Sequence, residues 1–266
     1  MVDVPTMERI RERQERATWT TAGPVITRMP DDEVLALEEQ AMASIGDPSP
    51  LGLWAFATGT WIAGTVIGGA FGHPFGDVVA AANAVHSVTG PAPVQVGLIP
   101  APGHLMALVP ILLIFGGVAQ FIAGLFSYRR ASSLMATAFT CYGAFALLAA
   151  TSFLLMARGT LPITGGSLVI WGFLLESFGF ISFALCMAAL GTNLALVGML
   201  GAICIGFVLA GIPNLAGVTS GGWVVIGEIG GWFMVASAVF AYYLGMATLV
   251  NSSRKRPAMH LFGRPC

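Results

Sequence analysis

The chain has 266 residues, of which 56% are hydrophobic and only 9% charged, against about 25% charged residues in ordinary soluble domains. That balance excludes a soluble globular enzyme and a nucleic-acid-binding surface. The formal net charge of −1 adds nothing about partners beside so much apolar sequence.

A hydrocarbon layer about 30 Å thick takes around 20 apolar residues per helical crossing. Six runs reach that length, at 51–72, 105–127, 134–157, 166–190, 194–218 and 223–250. The predicted fold is therefore all-α: a polytopic membrane protein with six transmembrane helices in one domain, 47–251. Flanking it are an acidic, partly disordered tail over 1–46 and a short basic tail over 252–266. The first run is too long, and starts too late, for a cleaved leader.

Charge placement sets the expected orientation. Arg9, Arg11, Arg13, Arg16 and Arg28 precede the first run, Arg129 and Arg130 follow the second, and Arg254, Lys255, Arg256 and Arg264 follow the sixth. Arg158 alone falls on the other side. Positive charge collects on the cytoplasmic face, so both termini are expected in the cytoplasm of a cell with this protein in its plasma membrane.

In chain order, the tail alternates charge over Glu8–Arg13, and a short amphipathic helix is expected over Glu33–Ala43. Asp47-Pro48-Ser49-Pro50-Leu51-Gly52-Leu53 then opens span 1, which carries Phe56 with Gly52, Gly59 and Ala63 near its face. Residues 73–104 hold His73, Asp77, His86, His104 and five prolines, without Lys or Arg. This reads as an extracytoplasmic loop with one short helix over Asp77–Val88. Its histidine spacing fits no metal site.

Span 2 is interrupted by Gly116, Gly117, Gln120 and Gly124. In an α-helix Gly117, Gln120 and Gly124 share a face. Small residues admit a neighbouring backbone, and an amide in hydrocarbon needs a partner. Helix packing and a polar rung in a solute pathway are both consistent with this pattern. Span 3 contains Thr140, Cys141 and Tyr142, and an intramembrane Tyr either packs with a satisfied hydroxyl or narrows a pore.

Span 4 carries Glu176 near its middle, beside Gly172, Phe173, Gly179 and Phe180. An ionisable residue there is a candidate proton site or a hydrogen-bonded structural group. Span 5 supplies Ile203 and Pro213-Asn214, where the proline frees backbone groups for Asn214 or water to satisfy. Glu228 lies near the start of span 6. Cys141, Cys186, Cys204 and Cys266 have no metal-ligand spacing, and Gly227-Glu228-Ile229-Gly230 lacks the strand–turn–helix setting of a nucleotide loop. No nucleophile–base pair appears, so an enzyme, a metal and a cofactor are not expected.

Three of these motifs, in order, carry a resemblance. Asp47-Pro48-Ser49-Pro50-Leu51-Gly52-Leu53 is similar to the Asn-Pro-Ala-Pro-Leu-Gly-Leu signature of the acetate uptake transporter family, the bacterial succinate–acetate permeases. Gly116-Gly117-Val118-Ala119-Gln120-Phe121-Ile122-Ala123-Gly124 resembles its second signature, and Ala138-Phe139-Thr140-Cys141-Tyr142-Gly143-Ala144-Phe145 its third. The resemblance spans roughly 47–251. It implies a homohexamer in the lipid bilayer whose protomers each pass acetate, and in some cases succinate, by proton symport or a channel-like route. By position in the matching motifs, Phe56 and Tyr142 correspond to two members of the family's apolar girdle of Phe, Tyr and Leu. Ile203 corresponds to the third, through a span-5 alignment anchored on Asn214 and Ala216-Gly217.

The chain departs from the pattern at several places. Asp47 replaces an Asn, Ser127 stands where relatives often carry an acid, and Ala131-Ser132-Ser133 replaces a Gly-Asn-Thr turn. The 73–104 loop is also longer. The residues by themselves leave two other readings open: a passive channel for a small neutral solute such as urea or an amide, and a non-transporting membrane sensor.

Overall fold

The structure, a computed structural model, describes residues 46–70, 102–158, 160–161, 165–216, 222–254 and 258–263, together with the backbone pairs 19–20 and 23–24. The expected helices over Glu33–Ala43 and Asp77–Val88 lie outside the described residues. The chain divides into two compact units, Met1–Asp47 and Pro48–Cys266. In the first, β1 (Trp19–Thr20) pairs antiparallel with β2 (Gly23–Pro24), Trp19 opposite Pro24. This hairpin lies within the stretch expected as tail.

The second unit is helical. α1 spans Ser49–Ile67. A composite element follows: α2 (Pro102–Pro110), a π-helical segment (Ile111–Ala119) and α3 (Gln120–Arg129). Then come α4 (Ser133–Ala157), α5 (Gly165–Ala189), α6 (Leu194–Leu215) and α7 (Gly222–Ser252). Among the described residues, six helical stretches are long and apolar enough to cross a membrane, with the composite element supplying the second over Met106–Arg129.

Helix ends follow local chemistry. Pro48 caps α1 and Pro50 sits in its first turn, where a missing N–H costs nothing. The same helix stops at Ile67, five residues before the expected end, because Gly68 and Gly69 follow and Gly69 takes φ 71°. Asn193 caps α6, its side chain accepting from the Leu196 N–H at 2.8 Å. α3 ends in a Schellman motif: Ser132 N–H donates to Ser127 C=O and Ala131 N–H to Tyr128 C=O. Ala131 holds the left-handed position at φ 54°, which is the departure from the Gly-Asn-Thr turn noted above.

α7 packs along both α1 and α6, and α5 packs along α6. Glycine permits these approaches, since lipid supplies no hydrophobic drive between helices and close contact has to. A Cβ on Gly64 of α1 would fall 2.8 Å from the Gly231 carbonyl of α7, and one on Gly230 would fall 2.8 Å from Ala210 N of α6. Ser237 adds a buried cross-link, its hydroxyl donating to Met199 C=O at 2.8 Å. Two apolar clusters result. One, around Leu53, Phe139, Leu200 and Leu244, lies at the end where α1 begins and α7 finishes. The other, around Val66, Leu108, Leu112 and Ala150, lies at the opposite end.

The last described residues fold back. Asn251 receives the N–H groups of Ala258 and Met259 on its Oδ1 and donates to Met259 C=O, while Leu194 N–H donates to Phe262 C=O. This strap, Ala258–Gly263, joins the end of α7 to the α5–α6 connection.

Candidate functional site

Between the two clusters lies a cavity of about 110 Å³. α1 contributes Phe56, Gly59, Thr60, Ala63 and Ile67; α4 contributes Tyr142, Phe145, Ala146, Ala149 and Phe153. The composite element supplies every fourth residue, Leu108, Leu112, Gly116 and Gln120, as one stripe. Ile203, Phe207 and Asn214 come from α6, and Trp171 and Leu175 from α5.

The lining has a direction. On α1, α4 and α6 no lining residue precedes Phe56, Tyr142 or Ile203, and on the composite element none follows Gln120. These four residues therefore form the floor, at the end nearer the start of α1. Phe56 and Tyr142 have ring centroids 5.1 Å apart, and Phe207 stacks on Tyr142 at 6.3 Å. Phe145 and Phe178 extend the aromatic group. At the far end Phe153 and Trp171 stack at 5.7 Å with an interplanar angle of 17°.

Polar groups along the cavity, from Tyr142 and Gln120 at the floor to Asn214 about three turns beyond Ile203, fall into two classes. Tyr142 donates to Ser182 Oγ at 2.8 Å, and Ser182, fully buried, donates on to Phe178 C=O at 2.6 Å. Asn214 Nδ2 donates to Ala210 C=O at 2.8 Å, not to Leu209, whose i+4 N–H Pro213 removes. Gln120 is different. It is 2% exposed, and its Nε2 has no hydrogen-bond partner. Burying a donor unpaired costs about 1–3 kcal/mol, so this amide is the polar group at the floor with unspent hydrogen-bonding capacity.

The structure thus brings together Phe56, Tyr142, Ile203, Gly116, Gln120 and Asn214 among the expected site residues. The remaining small and polar positions pack elsewhere. Gly52 lies under the Phe139 ring, Gly117 against Leu147, and Gly124 against Thr140, whose hydroxyl donates to Ala136 C=O at 2.8 Å. The expected shared face of Gly117, Gln120 and Gly124 is divided: the glycines meet α4 and Gln120 meets the cavity. The π segment supplies the reason, since i→i+5 bonding changes the angular step that the α-helical spacing assumed. Asp47 is the last residue of the first unit. Glu176 is not among the lining residues; its carboxyl lies in the α5–α6 contact against Gly211, and Oε1 is buried without a partner.

Sequence reasoning missed Ser182, Phe207, Phe153 and Trp171. Ser182, a hydroxyl between Ile181 and Phe183 in an apolar span, was a visible signal for the partner that Tyr142 needs. No group of His, Cys, Asp and Glu among the described residues is arranged to hold a metal.

The sequence pattern of the GPR1/FUN34/yaaH family matches residues 103–261, the stretch that carries Gln120, Tyr142, Ser182, Ile203 and Asn214. The chain belongs to the GPR1/FUN34/yaaH family. Phe56 and the Asp47–Leu53 motif precede the matched residues. Over 165 residues, 62% of this chain and 82% of the relative, the family member is 26% identical to the succinate-acetate/proton symporter SatP of Escherichia coli (strain K12). The same figures hold for SatP of Shigella flexneri. The solved structure of the bacterial acetate channel SatP matches with a TM-score of 0.62 at 23% identity, over 82% of this chain and 99% of that one. At that identity the likeness establishes the fold, six helices included. These relatives are named for transport, not catalysis.

Proposed function

We propose that this GPR1/FUN34/yaaH protein carries acetate and related small monocarboxylates across the plasma membrane, coupled to protons, through the cavity floored by Phe56, Tyr142 and Ile203. The observation that carries the reading is the unpartnered Gln120 Nε2 at the floor of a largely apolar cavity. A carboxyl oxygen is the acceptor that such a donor lacks.

The physics favours passage as the acid. A charge at mid-membrane costs at least a few kcal/mol, and protonation removes that cost. Gln120 then holds the carboxyl, and the rings of Phe56 and Tyr142 with Ile203 exclude hydrated ions. Pro48, Pro50 and Gly52 frame the start of α1 beneath this floor. Glu176, away from the cavity with an orphaned oxygen, is the candidate second proton site. The positive-inside count supports cytoplasmic termini. α5 presents Ile170, Phe173, Phe180 and Met187 outward, an apolar face suited to lipid or to a neighbouring copy in a homohexamer.

The test is uptake of labelled acetate into proteoliposomes with and without an inward proton gradient. Protein-dependent, saturable uptake accelerated by the gradient is expected; uptake equal to that of protein-free vesicles overturns the proposal. The neutral walls and the Gln120 amide also suit urea or a simple amide. Rapid urea flux without acetate saturation assigns the cavity to that passive channel instead.

A further inference from the structure

The cavity is sealed below its floor. Leu53, Phe139 and Leu200 each stand three residues before Phe56, Tyr142 and Ile203, so they form a second apolar layer about 4.5 Å lower. All three are 2% exposed or less, and Leu244 of α7 joins their cluster. A solute leaving toward the start of α1 has to part this layer. Its α6 members, Leu196, Met199 and Leu200, lie in the first two turns of that helix. The strap holds those turns: Leu194 N–H donates to Phe262 C=O, Asn193 bridges Gly263, and Leu261 packs on the same apolar cluster.

The strap is held under strain. Phe262 has φ 51°, a left-handed conformation that a bulky residue adopts only where its surroundings enforce it. Tyr243 holds it there, donating its hydroxyl to His260 C=O and setting its ring 5.7 Å from that of Phe262. An open cavity lined by Thr192, Asn193, Tyr243 and strap residues leaves the underside of the strap incompletely packed. We propose that Ala258–Gly263 is a releasable latch. Bound, it pins the first turns of α6 against the sealed layer; released, it frees them to part Leu200 from Leu53 and Phe139. This rests on the transport reading above. Release exchanges the bonds from Leu194 and Tyr243 for relief of the strain at Phe262, and lightly packed segments of this kind open locally while the rest of a fold stays intact.

The test is a reversible lock. A Cβ on Gly263 would lie 3.3 Å from Asn193 Cβ, close to the roughly 3.5–4.5 Å that a disulfide spans. Asn193→Cys is paired with Gly263→Cys in the full chain, with Cys141, Cys186, Cys204 and Cys266 replaced by Ala. Saturable exchange of labelled acetate is then measured across proteoliposomes at equal pH on both sides. Oxidation, with the cross-link confirmed by peptide mass, is expected to slow exchange about tenfold or more, since the gating motion is then blocked. Reductant is expected to restore it. Asn251→Ala, which removes three bonds at the base of the strap, is expected to speed exchange up to about fivefold, the worth of one hydrogen bond in the released population. Full-rate exchange by the cross-linked protein, or no acceleration in Asn251→Ala, overturns the latch alone. Absence of saturable exchange by the unaltered protein overturns the latch and the transport reading together.

Discussion

Tyr142 on α4 donates its hydroxyl to Ser182 on α5, and the acceptor is itself anchored to its own helix at Phe178. The ring is thereby fixed at the floor, while its hydroxyl is already engaged. Tyr142→Phe is expected to lower the thermal unfolding midpoint, through loss of about 1 kcal/mol of hydrogen bonding, yet keep substrate selectivity. Tyr142→Ala, which removes the ring, is expected to relax selectivity among monocarboxylates. Unchanged competition curves in the alanine variant would remove Tyr142 from the constriction.

Gln120→Leu separates function from stability. Replacing an unpaired buried amide by an apolar side chain of similar size relieves about 1–3 kcal/mol, so the variant is expected to melt higher. Acetate uptake is expected to fall roughly tenfold, the worth of one hydrogen bond to the carboxyl. Higher stability with unimpaired uptake would show that Gln120 does not contact substrate.

Glu176→Gln mimics a protonated carboxyl permanently. As a proton site, it is expected to hold uptake near its acid-side rate when external pH is raised, within about threefold, or less than 1 kcal/mol. A pH profile superimposable on that of the unaltered protein would leave Glu176 as a packing group beside Gly211.

Gly124→Ala tests the α3–α4 contact. The new methyl would meet Thr140 Cγ2 at 2.5 Å and Thr140 N at 2.7 Å, and the backbone atom cannot swing aside. A loss of about 1–3 kcal/mol is expected from such overpacking, read as a lower unfolding midpoint in detergent. No change would mean that α3 and α4 separate at little cost.

Ala131→Gly acts in the opposite direction. The left-handed φ at Ala131 costs an L-residue about 1–2 kcal/mol, and glycine removes that cost while adding unfolded-state entropy of about 0.4–1 kcal/mol. A small net rise in the unfolding midpoint is expected; a fall would mean that the methyl group is engaged.

The spans were legible because a run of about 20 apolar residues has few other uses. The floor was legible at Phe56 and Tyr142 through their motifs, and at Ile203 through the more distant anchor at Asn214. What remained hidden depended on relations between spans. The π segment has no residue signature that separates Ile111–Ala119 from an ordinary apolar helix, so the facing of Gly117 and Gln120 was misjudged. Ser182 becomes meaningful only when α5 lies beside α4. Phe153 and Trp171 read as interchangeable hydrophobics until the bundle stacks them.

The strap gives the order of biogenesis a physical meaning. Leu194 obtains its bond to Phe262, and Asn193 its bridge to Gly263, from residues translated after the last helix has been made. During synthesis the α5–α6 hairpin enters the bilayer with this edge open, while the rest of its contact with α5 is already available. Closure waits for residues that follow α7, so the turn between these helices lacks its Leu194–Phe262 bond until that later stretch has been made.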